Sequence, residues 1–189
     1  MVVELKDYIK VYDDVVKGKF CDIVIETFET KAEVLYLDRE QRPSFHDLNI
    51  TQKYLEKDEW WMGIQYHLKG VFKDIMQRYI DELDLNDVFP EEYAFEEYRI
   101  KKYENNGYDQ FKDHVDVQDY PSARRFLVGF LYLNDVEEGG ETHFSKLNYS
   151  VKPKRGRIVI FPPTWQYTHS GLLPISSNKY IVGTYLHYK

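Results

Sequence analysis

The chain has 189 residues, 43% of them hydrophobic, enough to bury a sizeable core in one folded unit. Its net charge of −7 argues against a nucleic-acid-binding surface, and its single cysteine, Cys21, excludes an internal disulfide and a cysteine-based zinc site. The opening MVVELKDYIKVYDD lacks the apolar stretch of a signal peptide, and no run of about 18 apolar residues marks a membrane span, so a cytoplasmic location is expected.

Val3, Leu5, Tyr8, Ile9 and Tyr12 have the spacing of a short amphipathic helix, and Cys21, Val24, Ile25 and Phe28 that of a second. AEVLYL (32–37) reads as a strand and leads into a polar loop around Arg42, Pro43 and Ser44. From Trp60 to Leu83 a longer helix is predicted, with Ile64, Leu68, Val71, Phe72, Ile75, Met76 and Tyr79 on a broad apolar face.

Near residue 90 the pattern changes to short strands, predicted at 93–103, 110–116, 124–133, 141–145, 149–153, 156–161, 166–170 and 179–187. NNG (105–107), EEGG (137–140), PKRG (153–156) and FPP (161–163) are chain reversers between them. RRFLVGFLYL (124–133) is apolar on both faces, which suits a central strand covered from both sides. The expected fold is mainly β with flanking helices: a jelly roll, or double-stranded β-helix, backed by N-terminal helices. One domain over 1–189 is expected, with 1–90 as the helical support and 91–189 as the core.

HVDVQDY (114–120) sets His114 and Asp116 two positions apart, so on a strand they share a face. The pair alone is equally compatible with a surface histidine near an aspartate. His169, in a later predicted strand, offers a third donor. Two imidazoles and one carboxylate on one face, with other positions open, suit non-haem Fe(II) and leave room for a cosubstrate and dioxygen. Ten residues on, Lys179 heads KYIVGTYL, where alternation puts Lys179, Ile181, Gly183, Tyr185 and His187 on one face. A lysine there can hold a buried carboxylate as a point charge.

Four segments carry a resemblance: YENNGYDQFKDHVD (103–116), RRFLVGFLYLNDVEEGGETHF (124–144), RGRIVIFPP (155–163) and THSGLLPISSNKYIVGTYL (168–186). In content and order they resemble the 2-oxoglutarate and Fe(II)-dependent dioxygenases, and within them the prolyl 4-hydroxylase-like family. The resemblance implies an enzyme that uses Fe(II), 2-oxoglutarate and O2, with ascorbate as a further ligand. It would hydroxylate a C–H bond, that of a prolyl residue in a peptide or protein substrate, and release succinate and CO2.

The resemblance also implies roles. His114, Asp116 and His169 ligate the metal; Lys179, Tyr103 and Thr142 bind the cosubstrate; Arg125 and Tyr185 face the substrate. Chemistry sits at the iron, and no separate acid or base is assigned. Tyr185 stands where the family has a tryptophan, Phe111 replaces a tyrosine, Pro174 comes one residue late, and the stretch from Tyr103 to His114 is two residues longer than usual. Alternation also places Lys101 on the face of Tyr103, so either Lys101 leaves through a bulge or Tyr103 is not the family's tyrosine.

Two alternatives stay open: a hydroxylase of another residue, a free amino acid or a small metabolite, and a jelly-roll binding module without catalysis. His46, His67 and His143 read as packing or surface residues, and His187 as structural.

Overall fold

The computed structural model describes residues 4–31, 33–39 and 43–189. A 3-10 turn at Leu5–Tyr8 leads into β1, Lys10–Tyr12. Helix α1 is Gly18–Lys31, followed by β2, Leu35–Asp38, and β3, Ser44–Asn49. Helices α2, Ile50–Leu55, and α3, Glu59–Glu82, come next. The strands then run β4, Tyr93–Phe95; β5, Arg99–Tyr103; β6, Phe111–His114; β7, Arg125–Tyr132; β8, Thr142–Phe144; β9, Tyr149–Val151; β10, Ile158–Phe161; β11, His169–Gly171; and β12, Lys179–Tyr188.

The strands form two antiparallel sheets, the layers of the expected jelly roll. The major sheet runs β1-β10-β7-β12-β5-β3-β2 with β4 also on β12, and the minor sheet runs β6-β11-β8-β9. β7 is central, between β10 and β12. Alternation sorts its side chains: Leu127 and Leu131 go to the helical layer, and Val128, Phe130 and Tyr132 to the space between the sheets. β12 sorts likewise, with Val182 and Leu186 toward the helices and Ile181 between the sheets. Trp61, Ile64, Leu68, Phe72 and Met76 of α3 pack on the outer face of the major sheet. Gly129 permits this approach, since a Cβ there would lie 3.1 Å from the Phe72 ring.

Three expectations are corrected. Of the helix expected on Val3, Leu5, Tyr8, Ile9 and Tyr12, only the 3-10 turn Leu5–Tyr8 forms among the described residues: β1 pairs with β10, Val11 opposite Val159, while Ile9 and Tyr12 stay buried. Short apolar segments suit either element, and tertiary pairing decides; Val3 lies outside the described residues, as do Ala32 and Arg42. The strand expected at 93–103 divides into β4 and β5, and at 166–170 a 3-10 turn, Trp165–Tyr167, precedes β11. Finally, the stretch before residue 90 is more than helical support, because β1, β2 and β3 extend the major sheet.

Candidate active site

His114 ends β6 and His169 begins β11, and the antiparallel register sets these two residues directly opposite. Their ring centroids lie 4.4 Å apart. Asp116 falls just past β6, in the loop rather than on the expected strand, held by its N–H donating to the Pro163 carbonyl at 3.2 Å. One ligand atom from each of the three lies within 4.8 Å of the others. Asp116 Oδ1 is 3.6 Å from His114 Nε2, and Asp116 Oδ2 is 3.7 Å from His169 Nε2.

The surroundings aim these atoms at one point. His114 Nδ1 lies 2.8 Å from the Lys112 carbonyl and His169 Nδ1 3.0 Å from the Tyr167 carbonyl. A carbonyl only accepts, so each Nδ1 carries the proton and each Nε2 presents a lone pair inward. Phe111 stacks on His114 at 3.5 Å, and Phe130, Phe144 and Phe161 surround His169. Burial pushes the His169 pKa down to about 4, keeping the ring neutral. Burial opposes ionisation of Asp116, but the neighbouring His169 and His114 and the Tyr185 hydroxyl outweigh it and hold the carboxyl at about 2.

Tyr185 donates to Asp116 Oδ1 at 2.9 Å, while the buried Asp116 Oδ2 has no hydrogen-bond partner among the described residues. A carboxylate with an orphaned oxygen, clustered with two Nε2 lone pairs, suits a divalent cation, and this donor set suits Fe(II).

The same cavity extends to Lys179, whose side chain is 1% exposed. Its ammonium donates to the Gly140 carbonyl at 2.9 Å and sits 4.6 Å from the centre of the Tyr103 ring, its register partner on β5. Gly139 and Gly140 shape this end, both with φ near +75°, and a Cβ on Gly139 would strike the Leu173 carbonyl at 2.2 Å. No ion pair engages Lys179 among the described residues, and burial, opposed by the Glu141 carboxylate and helped by Lys101, pushes its pKa down to about 7. Thr142 lines the cavity and shares a 2.6 Å hydrogen bond with the Tyr132 hydroxyl.

Lys101 requires a correction. β5 pairs with β12 in unbroken register, Tyr103 with Lys179 and Lys101 with Ile181, so there is no bulge. Lys101 and Tyr103 both line the cavity, so the bulge drawn from the sequence does not form. Arg125 is engaged: its guanidinium pairs with Glu96 at 2.9 and 2.7 Å, lies 3.9 Å over the Tyr185 ring, and donates to the Asp116 carbonyl at 3.3 Å. The sequence reading gives Phe130, Tyr132 and Glu96 no role in the site. Alternation with Val128 on β7 was the signal for the first two, whereas Glu96 reaches Arg125 only through the fold. His46, His67, His143 and His187 contact Glu104, Phe20, Ser150 and the Tyr188 carbonyl, away from the cavity lining.

With this geometry in view, residues 98–187 match the family model of the 2OG-Fe(II) oxygenase superfamily. This stretch belongs to that superfamily. Its oxygenases draw on Fe(II), 2-oxoglutarate and O2, in keeping with the donor set and the buried lysine. The chain is 28% identical to prolyl 4-hydroxylase subunit alpha-1 of Gallus gallus over 191 aligned residues, 89% of this chain and 35% of that protein. It is 35% identical to probable prolyl 4-hydroxylase 10 of Arabidopsis thaliana over 96 residues, 41% of this chain and 31% of that protein. It therefore spans about a third of each relative's length.

Among solved structures, the oxygenase fold is shared with a prolyl hydroxylase from Trichoplax adhaerens in complex with a hypoxia inducible factor peptide fragment. The TM-score is 0.73 at 14% identity, covering 95% of this chain and 83% of that one. It is also shared with the 2OG complex of viral collagen prolyl hydroxylase from Paramecium Bursaria Chlorella virus-1, with a TM-score of 0.63 at 19% identity and 96% of both chains covered. No helix among the described residues is long and apolar enough to cross a membrane.

Proposed function

We propose that this oxygenase hydroxylates a prolyl residue of a peptide or protein. The observation that carries the reading is the pairing of the His114, Asp116 and His169 cluster, with Asp116 Oδ2 orphaned 3.7 Å from His169 Nε2, and a buried Lys179 that has no ion pair among the described residues, in one cavity. His114, Asp116 and His169 hold Fe(II). When bound, Fe(II) with 2-oxoglutarate and O2 supplies the oxidising power to hydroxylate an unactivated C–H bond, releasing succinate and CO2.

The chain's own residues bind and orient. Lys179 pairs with the distal carboxylate of 2-oxoglutarate, a charge-assisted contact well above a neutral hydrogen bond in strength. The Tyr103 ring backs the ammonium, and Thr142, oriented by Tyr132, completes that end. Tyr185 fixes the rotamer of Asp116. The phenylalanines around His169 keep bulk water from the metal side.

A groove beside the triad, lined by Asp113, Gln118, Asp119, Arg125 and Tyr185, receives the substrate. Arg125, fixed by Glu96, forms its wall, and ascorbate serves as a reductant. Residues 91–189 carry the catalysis in one unit with the supporting elements before them. The protein works in the cytoplasm, a placement that cell fractionation tests. The similarity to prolyl hydroxylases, one with a peptide in its solved complex, supports the choice of substrate class.

The test is a panel of proline-containing peptides incubated with Fe(II), 2-oxoglutarate and ascorbate. A mass gain of one oxygen on proline, with one succinate per hydroxylation, is the expected result. Hydroxylation of a different residue or of a free metabolite would replace prolyl hydroxylation with the alternative oxygenase reading.

A further inference from the structure

The cavity holds a second ammonium. Lys101 points into it from β5, level with Ile181 on β12, one inward position from the Tyr103–Lys179 pair. Its Nζ lies 4.9 Å from the centre of the Phe45 ring and 5.9 Å from that of Phe111. Phe111 is the ring stacked on His114, and Lys101 acts electrostatically on Asp116 and His169, so this ammonium lies toward the metal cluster, whereas that of Lys179 donates to the Gly140 carbonyl.

Lys101 has no hydrogen bond or ion pair among the described residues. The carboxylate opposite it in register, Asp47 on β3, is paired with Arg99 instead. The other nearby carboxylate is Asp116, which the metal claims in the reading above. Burial lowers the pKa of Lys101, opposed by Asp116 and Asp47, so an anion arriving beside it favours the charged form. Two cations that line one cavity, neither in an ion pair among the described residues, call for a ligand with two negative groups.

We propose that Lys101 is a second cosubstrate anchor, pairing with the metal-side carboxylate of 2-oxoglutarate while Lys179 holds the distal one. This rests on the metal and cosubstrate reading above and deepens it. Lys101 is then a positioning and specificity residue: the pocket grips both ends of a dianion rather than the distal end alone.

The experiment is anaerobic calorimetry on the full chain loaded with redox-inert Zn(II), which needs no turnover. Parent, Lys101→Met, Lys101→Arg and Lys179→Met are each titrated with 2-oxoglutarate and with 2-oxobutanoate, which keeps the 2-oxo acid but lacks the distal carboxylate. Lys101→Met should weaken 2-oxoglutarate about tenfold to a hundredfold, as expected for removing one partner of a desolvated charge pair. It should weaken 2-oxobutanoate by a similar factor, whereas Lys179→Met should lose its effect on that ligand. Lys101→Arg, which keeps the charge, should recover most of the affinity and guards against a folding defect in the methionine variant. Zn(II) affinity should match the parent in both Lys101 variants.

A 2-oxoglutarate isotherm for Lys101→Met that overlays the parent overturns the proposal. So does a loss confined to 2-oxoglutarate, which would put Lys101 on the distal carboxylate. Failure of the underlying reading looks different: the Zn(II)-loaded parent itself would not bind 2-oxoglutarate.

Discussion

The Tyr185 hydroxyl donates to Asp116 Oδ1 at 2.9 Å and leaves Oδ2 of the same carboxylate without a hydrogen bond among the described residues, 3.7 Å from His169 Nε2. One oxygen is thus committed to orientation and the other is left for a ligand. Tyr185 stands six residues after Lys179 on the same face of β12, so one strand serves both ends of the cavity.

Tyr185→Phe removes only this hydroxyl. Groups that orient a ligating side chain typically contribute tenfold to a hundredfold in metal affinity. The variant should bind Zn(II) or Fe(II) about tenfold more weakly in a chelator competition while keeping its fold by circular dichroism. Metal affinity equal to the parent would mean that the packing around Asp116, not the hydroxyl, sets its rotamer.

Lys179→Met should raise the KM for 2-oxoglutarate by about a hundredfold or more, since a desolvated charge-assisted contact is lost. Free 2-oxoglutarate added at high concentration should restore part of the turnover rate. A variant with an unchanged KM would remove Lys179 from the cosubstrate site.

The same variant changes the pH dependence of stability in the ligand-free protein. The pKa of Lys179 is about 7 in the fold against 10.5 for an ordinary lysine. Between those values the unfolded chain holds this proton and the folded chain does not, so stability rises with pH across that window. The slope reaches about 1.4 kcal/mol per pH unit for one such group. From about pH 7 to pH 9.5, below the range in which ordinary tyrosines ionise, urea unfolding should show the parent gaining stability relative to Lys179→Met. Parallel stability profiles for the two proteins would show that Lys179 keeps its charge when buried.

Gly129→Val tests how the helical layer meets the sheet. The first added carbon already lies 3.1 Å from Phe72 and 3.2 Å from Met76, two fully buried side chains of α3. Overpacking of this kind costs about 1–3 kcal/mol. A fall in Tm of several degrees is expected. A Tm equal to the parent's would indicate that α3 shifts without cost.

Much of this site is written in local pattern. The alternation of β12 places Lys179, Ile181 and Tyr185 inward, and the apolar run of β7 marks it as central. The residues of the triad stand out by type and order, and the fold brings them together through the β6–β11 register. What stays hidden depends on partners far away in the chain. SFHDLN is too polar to read as a strand, yet β5 pairs with it as β3 and buries Phe45, Asp47 and Leu48. VY at 11–12 reads as part of a helix until β10 supplies its ladder. Lys101 is the instructive failure. A charged residue on an inward face suggests a bulge, because an unpaired buried ammonium is costly. The register is regular nonetheless, and a binding cavity is where such a cost has a use.

The most direct measurement is the anaerobic visible spectrum of the purified chain after adding Fe(II) and then 2-oxoglutarate, repeated with Asp116→Ala. A weak charge-transfer band that requires both additions, appears in the parent and is missing from the folded variant is the predicted result. No band in a folded, Fe(II)-loaded parent would contradict the cosubstrate site, and an undiminished band in Asp116→Ala would contradict the metal triad.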